Sequence, residues 1–189
     1  MIQLKNAKEL AAMRRACEIS ALALRHGGEA IEAGIPPAEI DKIIFDFIKR
    51  QGAKPNFKGL YGFPGTACIS VNDEVIHGIP SHAKVIRPGD IVSIDTGAAF
   101  GGFNGDNACT FGCGKLDLEA QRLLDVTRES LHRGIAAAVF GARVGDISNA
   151  VQTYVEENGF SVVRSFAGHG VGKELHEDPE VPNFGPAGR

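Results

Sequence analysis

The sequence has no tryptophan, only two methionines and no pair of cysteines in a CxxC spacing. Its four cysteines, Cys17, Cys68, Cys109 and Cys113, are scattered along the chain. That suggests neither a zinc knuckle nor a disulfide framework, and a reducing, cytoplasmic compartment fits best. An excess of positive charge is missing too. Twenty Lys and Arg stand against 23 Asp and Glu, a net charge of −3, so no basic footprint is available to neutralise phosphates and no nucleic-acid partner is expected. No apolar run approaches the length of a membrane span, and the opening residues mix charged with apolar side chains where a signal peptide needs an unbroken h-region. The expectation is a soluble, unexported protein with no membrane partner. What is present, 43% hydrophobic residues and 23% charged ones over 189 positions, suits a globular domain and excludes a disordered tail, a disulfide miniprotein or a collagen-like repeat.

Helices punctuate the chain in two similar pairs. The first opens at Asn6, an N-cap with Glu9 in the reciprocal position, and runs through Met13, Cys17, Ala21 and Leu24 towards Gly34. After Pro36-Pro37, the residues Ile40, Ile43, Ile44, Phe47 and Ile48 fall at the spacing of one buried helical face that ends at Gly52. A long helix then spans about Leu118 to Val139. After Gly141 another carries Ile147, Ala150, Val151, Tyr154 and Val155 before Gly159, each 107 residues beyond its counterpart in the first pair. A shared apolar register and a shared terminal glycine argue for a duplicated helix-helix-strand unit, although any two amphipathic helices align somewhere. The chain is expected to form one domain, residues 1–189, with halves at about 1–114 and 115–189. If the repeat is complete in the first half, the second is short of its last strands, and the loop-like ending Gly185-Pro186-Ala187-Gly188-Arg189 reads as a truncation.

Between the helix pairs lie β-type runs at 67–71, 75–77, 91–99 and 103–112. The last two flank Phe100-Gly101-Gly102 and read as a hairpin. Asp95 sits inside the run Ile91-Val92-Ser93-Ile94-Asp95-Thr96, where aspartate is disfavoured. With the turn centred between Phe100 and Gly101, Asp95 directly faces Asp106. Opposed like charges destabilise a sheet, and two carboxylates sharing a site do not both ionise cheaply unless a cation joins them. Alternatively, Asp95 caps a bulge and Asp106 is solvated in a turn, Asn104-Gly105-Asp106-Asn107.

Three of the six histidines, His26, His82 and His132, lie in helical or polar loop surroundings and carry no expected role. His77 ends the run Val75-Ile76-His77 at a Gly-Pro loop, the kind of place where functional groups sit on rigid supports. His169 is bracketed by Gly168, Gly170 and Gly172, and His176 follows seven residues later. Glycines there permit close backbone approach, though a histidine beside glycines also serves as a packed or capping residue. The alternating glycines are discounted as a phosphate cradle because a weak strand precedes them and no clear helix follows.

Taken together, Gly62-Phe63-Pro64, Cys68 through Pro80, Gly89 through Asp95, Gly105-Asp106, Gly168 through Gly172 and His176 through Pro179 give the chain a strong resemblance, along all its length, to the type I methionine aminopeptidases. The resemblance implies an α+β pita-bread fold, two pseudo-symmetric αβ halves around a curved antiparallel sheet, with the second half incomplete here. It implies a hydrolase holding two divalent metal ions, with Asp95, Asp106 and His169 as ligands and Asp106 bridging. His77 and His176 then hold the substrate and help stabilise the transition state. Two further family ligands are glutamates on final strands that have no counterpart in this sequence, so the chain as written is expected to be a poor enzyme. The oxygen-rich set with one imidazole favours cobalt, manganese or iron. The methionine pocket falls on Phe57, Leu60, Phe63, Cys68 and Leu175, soft and aromatic groups suited to a thioether, with His77 beside them.

The implied activity is removal of the initiator methionine from nascent polypeptides, at the ribosome, by a monomer. Two other readings stand beside it. An Xaa-Pro peptidase or creatinase-like hydrolase shares the fold but usually carries a large N-terminal domain. A non-catalytic binding protein on the same fold has no need for Asp95, Asp106, His169, His77 and His176 together.

Overall fold

A computed structural model describes residues Met1–Arg189. The chain forms two compact units, one of Leu4–Asp117 with Val171–Leu175, the other of Met1–Gln3, Leu118–Gly170 and His176–Arg189.

In the first unit, the Asn6 side chain accepts from the backbone N–H groups of Lys8 and Glu9, both at 3.0 Å, while Glu9 accepts from Asn6 N at 3.1 Å. This capping box starts helix α1, Ala7–Glu29. Helix α2, Pro37–Arg50, opens on a proline at its first position, where the missing N–H goes unused by a helix. Its face of Ile40, Ile44, Phe47 and Ile48 is buried together with Ile19, Ala23 and Leu24 of α1.

These helices back a four-stranded antiparallel sheet made of β1 (Lys54–Pro55), β2 (Ala67–Val71), β3 (Ile91–Phe100) and β4 (Phe103–Gly112). Strand β4 runs along one edge of β3, while β1 and β2 follow one another along the other edge. Side chains alternate across a strand. Val92, Ile94, Thr96 and Ala98 of β3 are therefore fully buried beneath the helices, with Ser20 Oγ donating to Thr96 O at 2.8 Å. Ser93, Asp95 and Gly97 necessarily project to the opposite face. Gly105 lets α1 lie close on β4, since a Cβ there would collide with the Ala16 carbonyl.

Two expectations need correction. The hairpin turns on Gly101 and Gly102, both with positive φ (60° and 81°) as a two-residue I′-type turn requires. Phe100 thus pairs with Phe103, Asp95 with Ala108, and Asp106 with Gly97. Asp95 and Asp106 are diagonal neighbours rather than direct partners; because the shift is by two residues, both stay on one face. The strand expected at Val75–His77 does not form. Asn72 adopts φ 56° and Glu74 Oε2 accepts from Val71 N at 2.8 Å, so the chain turns immediately after β2 and leaves Val75 and Ile76 exposed.

The second unit contains α3 (Leu118–Ala137), α4 (Val144–Glu157), β5 (Gly168–Gly170) and β6 (Glu177–Val181). Pro37 and Arg50, which bound α2, correspond to Val144 and Glu157 of α4, each 107 residues on. Gly134 lets α3 approach α4 closely enough that a Cβ would lie 2.9 Å from Val151 Cγ2. Strands β5 and β6 pair antiparallel with an irregularity between His169 and Gly170.

Candidate metal centre

Alternation across the sheet produces the central feature. On the face turned away from the helices, β2 contributes Cys68 opposite Asp95, and β4 contributes Asp106 opposite Gly97. Burial, the charge of Asp106 and a hydrogen bond shared with it all act in the same direction, and push the Asp95 carboxyl up to about 7 from its ordinary 3.8. The pair therefore holds one proton between two carboxyls below about pH 7 and gives it up above. Burial first, then the charges of Asp95, Asp106 and Asp41, push the Cys68 thiol up to about 12. Without a metal, Cys68 is thus a neutral, buried thiol opposite Asp95.

Asp41 was not expected from the sequence. From α2 its Oδ1 accepts the backbone N–H groups of Thr66 and Ala67, both at 2.7 Å, and fixes the start of β2 one residue before Cys68. Its position beside Ile40 on a strongly amphipathic helix is the only trace of this in the sequence. On the same face Ser93 and Thr110 pair through their hydroxyls at 2.8 Å.

His77 lies in the same unit, in a loop and exposed, with φ 59°. Its neighbour Gly78 is locked onto β2: Gly78 N donates to Ser70 Oγ at 3.0 Å, Ile69 N donates to Gly78 O at 2.9 Å, and a Cβ at Gly78 would collide with the Ile69 carbonyl. His77 borders an open cavity of about 550 Å³, lined also by Glu74, Ile76, Ile79 and Lys84. Of the residues expected to form the methionine pocket, Phe57, Leu60 and Phe63 share one tight loop. Leu60 N donates to Phe57 O at 3.0 Å and Phe63 N to Leu60 O at 2.8 Å. Phe57 and Cys68 are buried, and Leu60, Phe63 and Leu175 half-buried.

His169 and His176 come together in the second unit, their rings 4.4 Å apart between centroids and edge-on at 62°. His169 Nδ1 lies 2.8 Å from Gly170 O; when that nitrogen carries the proton, Nε2 is the nitrogen that bears the lone pair. The surrounding glycines serve strand packing, because a Cβ on Gly170 would collide with the Asp178 carbonyl on β6.

In the first unit no group of three or more His, Cys, Asp or Glu side chains is arranged to hold a metal ion. The donor chemistry of Asp95 and Asp106 nonetheless fits one: two partly dehydrated oxygen ligands, destabilised by each other, are relieved by a divalent cation.

A helix-backed antiparallel sheet carrying two carboxylates on the face away from the helices agrees with the pita-bread fold of metallohydrolases, and solved structures show that fold. The methionine aminopeptidase of Thermotoga maritima superposes with a TM-score of 0.98 at 42% identity, covering all of this chain and 76% of that one. The prolidase of Pyrococcus furiosus gives a TM-score of 0.84 at 25% identity, over 96% of this chain but 52% of the prolidase. The model for metallopeptidase family M24 matches residues 11–189. Methionine aminopeptidase from Clostridium perfringens is 52% identical over 189 residues, all of this chain and 76% of the relative. Methionine aminopeptidase 1 of Bacillus subtilis is 49% identical over 186 residues, 98% of this chain and 75% of the relative. The chain belongs to metallopeptidase family M24 and, within it, to the methionine aminopeptidases, which are metal-dependent hydrolases. No helix is long and apolar enough to cross a membrane.

Proposed function

We propose that the chain acts in the cytoplasm on the N-termini of nascent polypeptides, removing the initiator methionine, with Asp95, Asp106 and His169 as ligands to two divalent ions. Asp95 and Asp106 supply oxygen donors from adjacent strands. His169 supplies its Nε2 lone pair, the tautomer being held by the Gly170 carbonyl. Divalent ions bound at such a site lower the pKa of water and polarise the scissile carbonyl. His77 and His176 then hold the substrate amide by hydrogen bonding, His77 from a backbone that Gly78 anchors to β2. Phe57, Leu60, Phe63, Cys68 and Leu175 take the methionine side chain, a choice that the neutral thiol of Cys68 supports. Oxygen-rich ligation favours manganese, iron or cobalt.

The observation that carries this reading is the Asp95–Asp106 pair, two carboxyls on one sheet face with Asp95 raised to about 7. The test is calorimetric titration with Mn²⁺, alongside release of free methionine from a Met-Ala-Ser peptide. Binding and release above the metal-free rate, both lost in Asp95→Asn, support the reading. Equal Mn²⁺ affinity in parent and variant refutes it. Preferential cleavage of an Xaa-Pro peptide would favour the prolidase-like alternative instead.

A further inference from the structure

The segment Val171–Leu175 separates His169 from His176 in the sequence, yet it packs with the first unit. One residue holds two of its backbone carbonyls. Asn104 of β4, only 8% exposed, donates from its backbone N–H to Gly172 O at 2.8 Å. Its carboxamide Nδ2 donates both protons, to Gly172 O at 3.1 Å and to Lys173 O at 2.9 Å. The orientation of that carboxamide is itself fixed, since Asn104 Oδ1 accepts from Asn56 Nδ2 at 3.1 Å. Asn56 also reaches toward Gly105 O and packs so closely on Gly97 that a Cβ there would overlap its side-chain oxygen. By contrast, the ion pair of Lys173 Nζ with Glu9 Oε1, at 2.8 Å, is a solvent-facing contact.

We propose that Asn104 is a positioning residue: by holding the Gly172 and Lys173 carbonyls, it fixes the backbone of the segment that links His169 to His176. Each histidine is three residues from a held carbonyl, a tether of at most about 11 Å of extended chain. A rotated or missing carboxamide releases both tethers at once, because a single NH₂ group serves both carbonyls. Asn56 acts one step further out by choosing which way that NH₂ group points. This deepens the proposed function, since it rests on His169 and His176 being working residues.

The test is hydrogen exchange, read by mass spectrometry on the complete chain, together with ring-proton NMR of the histidines in the presence of Mn²⁺ alone. Asn104→Ala should speed exchange across 171–175 about tenfold, the loss expected for removing these two buried hydrogen bonds, while α1 and α2 exchange as in the parent. Asn56→Ala keeps Asn104 but frees its carboxamide; it should speed the same segment about threefold, and it carries the test if Asn104→Ala does not fold. Lys173→Ala should change exchange less than twofold. At equal Mn²⁺ occupancy, paramagnetic broadening of the His169 ring signals should fall at least threefold in Asn104→Ala, a change that a purely structural role would not produce. Parent-like exchange of 171–175 in both Asn variants, or undiminished His169 broadening at equal occupancy, overturns the assignment of Asn104. Absence of Mn²⁺ binding by the parent chain overturns the metal reading instead, and exchange still decides whether Asn104 holds the segment.

Discussion

Substituting Asp95 by Asn should stabilise the metal-free chain at alkaline pH and leave it unchanged in acid. A carboxyl held at about 7 instead of its ordinary 3.8 binds its proton more tightly in the folded than in the unfolded chain. Stability therefore falls as pH rises between those two values, the reverse of an ordinary salt-bridged aspartate. Below pH 4 both states are protonated and there is no penalty; above pH 7 the penalty is complete. The difference of about three pH units, at about 1.4 kcal/mol each, amounts to about 4 kcal/mol, and contact of Asp95 with water reduces this to about 2–4 kcal/mol. Urea unfolding of EDTA-treated protein at pH 4, 6 and 8 gives the stability of parent and Asp95→Asn. Subtracting one from the other removes every titrating group that does not interact with Asp95 and leaves the pair it forms with Asp106. The variant should gain progressively over the parent across that range, and saturating Mn²⁺ should close the gap by stabilising the parent alone. A difference that is flat with pH, or a variant less stable than the parent at pH 8, would refute the argument that an uncompensated carboxylate pair is built into the sheet.

Three further outcomes follow from the same structure. Asp106→Ala should weaken Mn²⁺ binding far more than His77→Asn, since on the proposed assignment the first removes a ligand and the second a group that touches substrate; calorimetry returning equal affinities would contradict the assignment. Gly105→Ala should destabilise by about 2–3 kcal/mol, because the new methyl meets the Ala16 carbonyl and α1 must move off β4; an unchanged midpoint in thermal unfolding would show that the helix has room to shift. Asp41→Ala strands the N–H groups of Thr66 and Ala67 and should cost about 2–3 kcal/mol by urea unfolding, with Asp41→Asn, which keeps an acceptor oxygen, recovering part of the loss.

Features that depend on neighbouring residues were legible in the sequence. The Asn6–Glu9 cap, the apolar face of α2 and its echo in α4 are all set by spacing along one helix. The common face of Asp95 and Asp106 was also legible, because strand alternation preserves it even when the register moves by two residues. The register itself was not, since it depended on which two residues take positive φ, and three candidates stood in a row at Phe100-Gly101-Gly102. The run Val75-Ile76-His77 has strand composition, but Gly78 O already takes the Ile69 N–H of β2 and Glu74 takes that of Val71. Asp41, Asn56 and Asn104 act across 25 to 69 residues of chain, and no local pattern signals such partners. The reasons for Gly97 and Gly105 emerge only from what lies against them.

The left-handed backbone at His77 bears on how its chemistry can be probed. A β-branched or bulky replacement there would rebel against φ 59° before any imidazole was missed, so lost turnover in a valine or isoleucine substitution would speak of a buckled loop. Asparagine and glycine tolerate that conformation, and they alone subtract the ring while sparing the main chain. Mutational scans that treat every substitution at this position alike would blend two unrelated defects into one number.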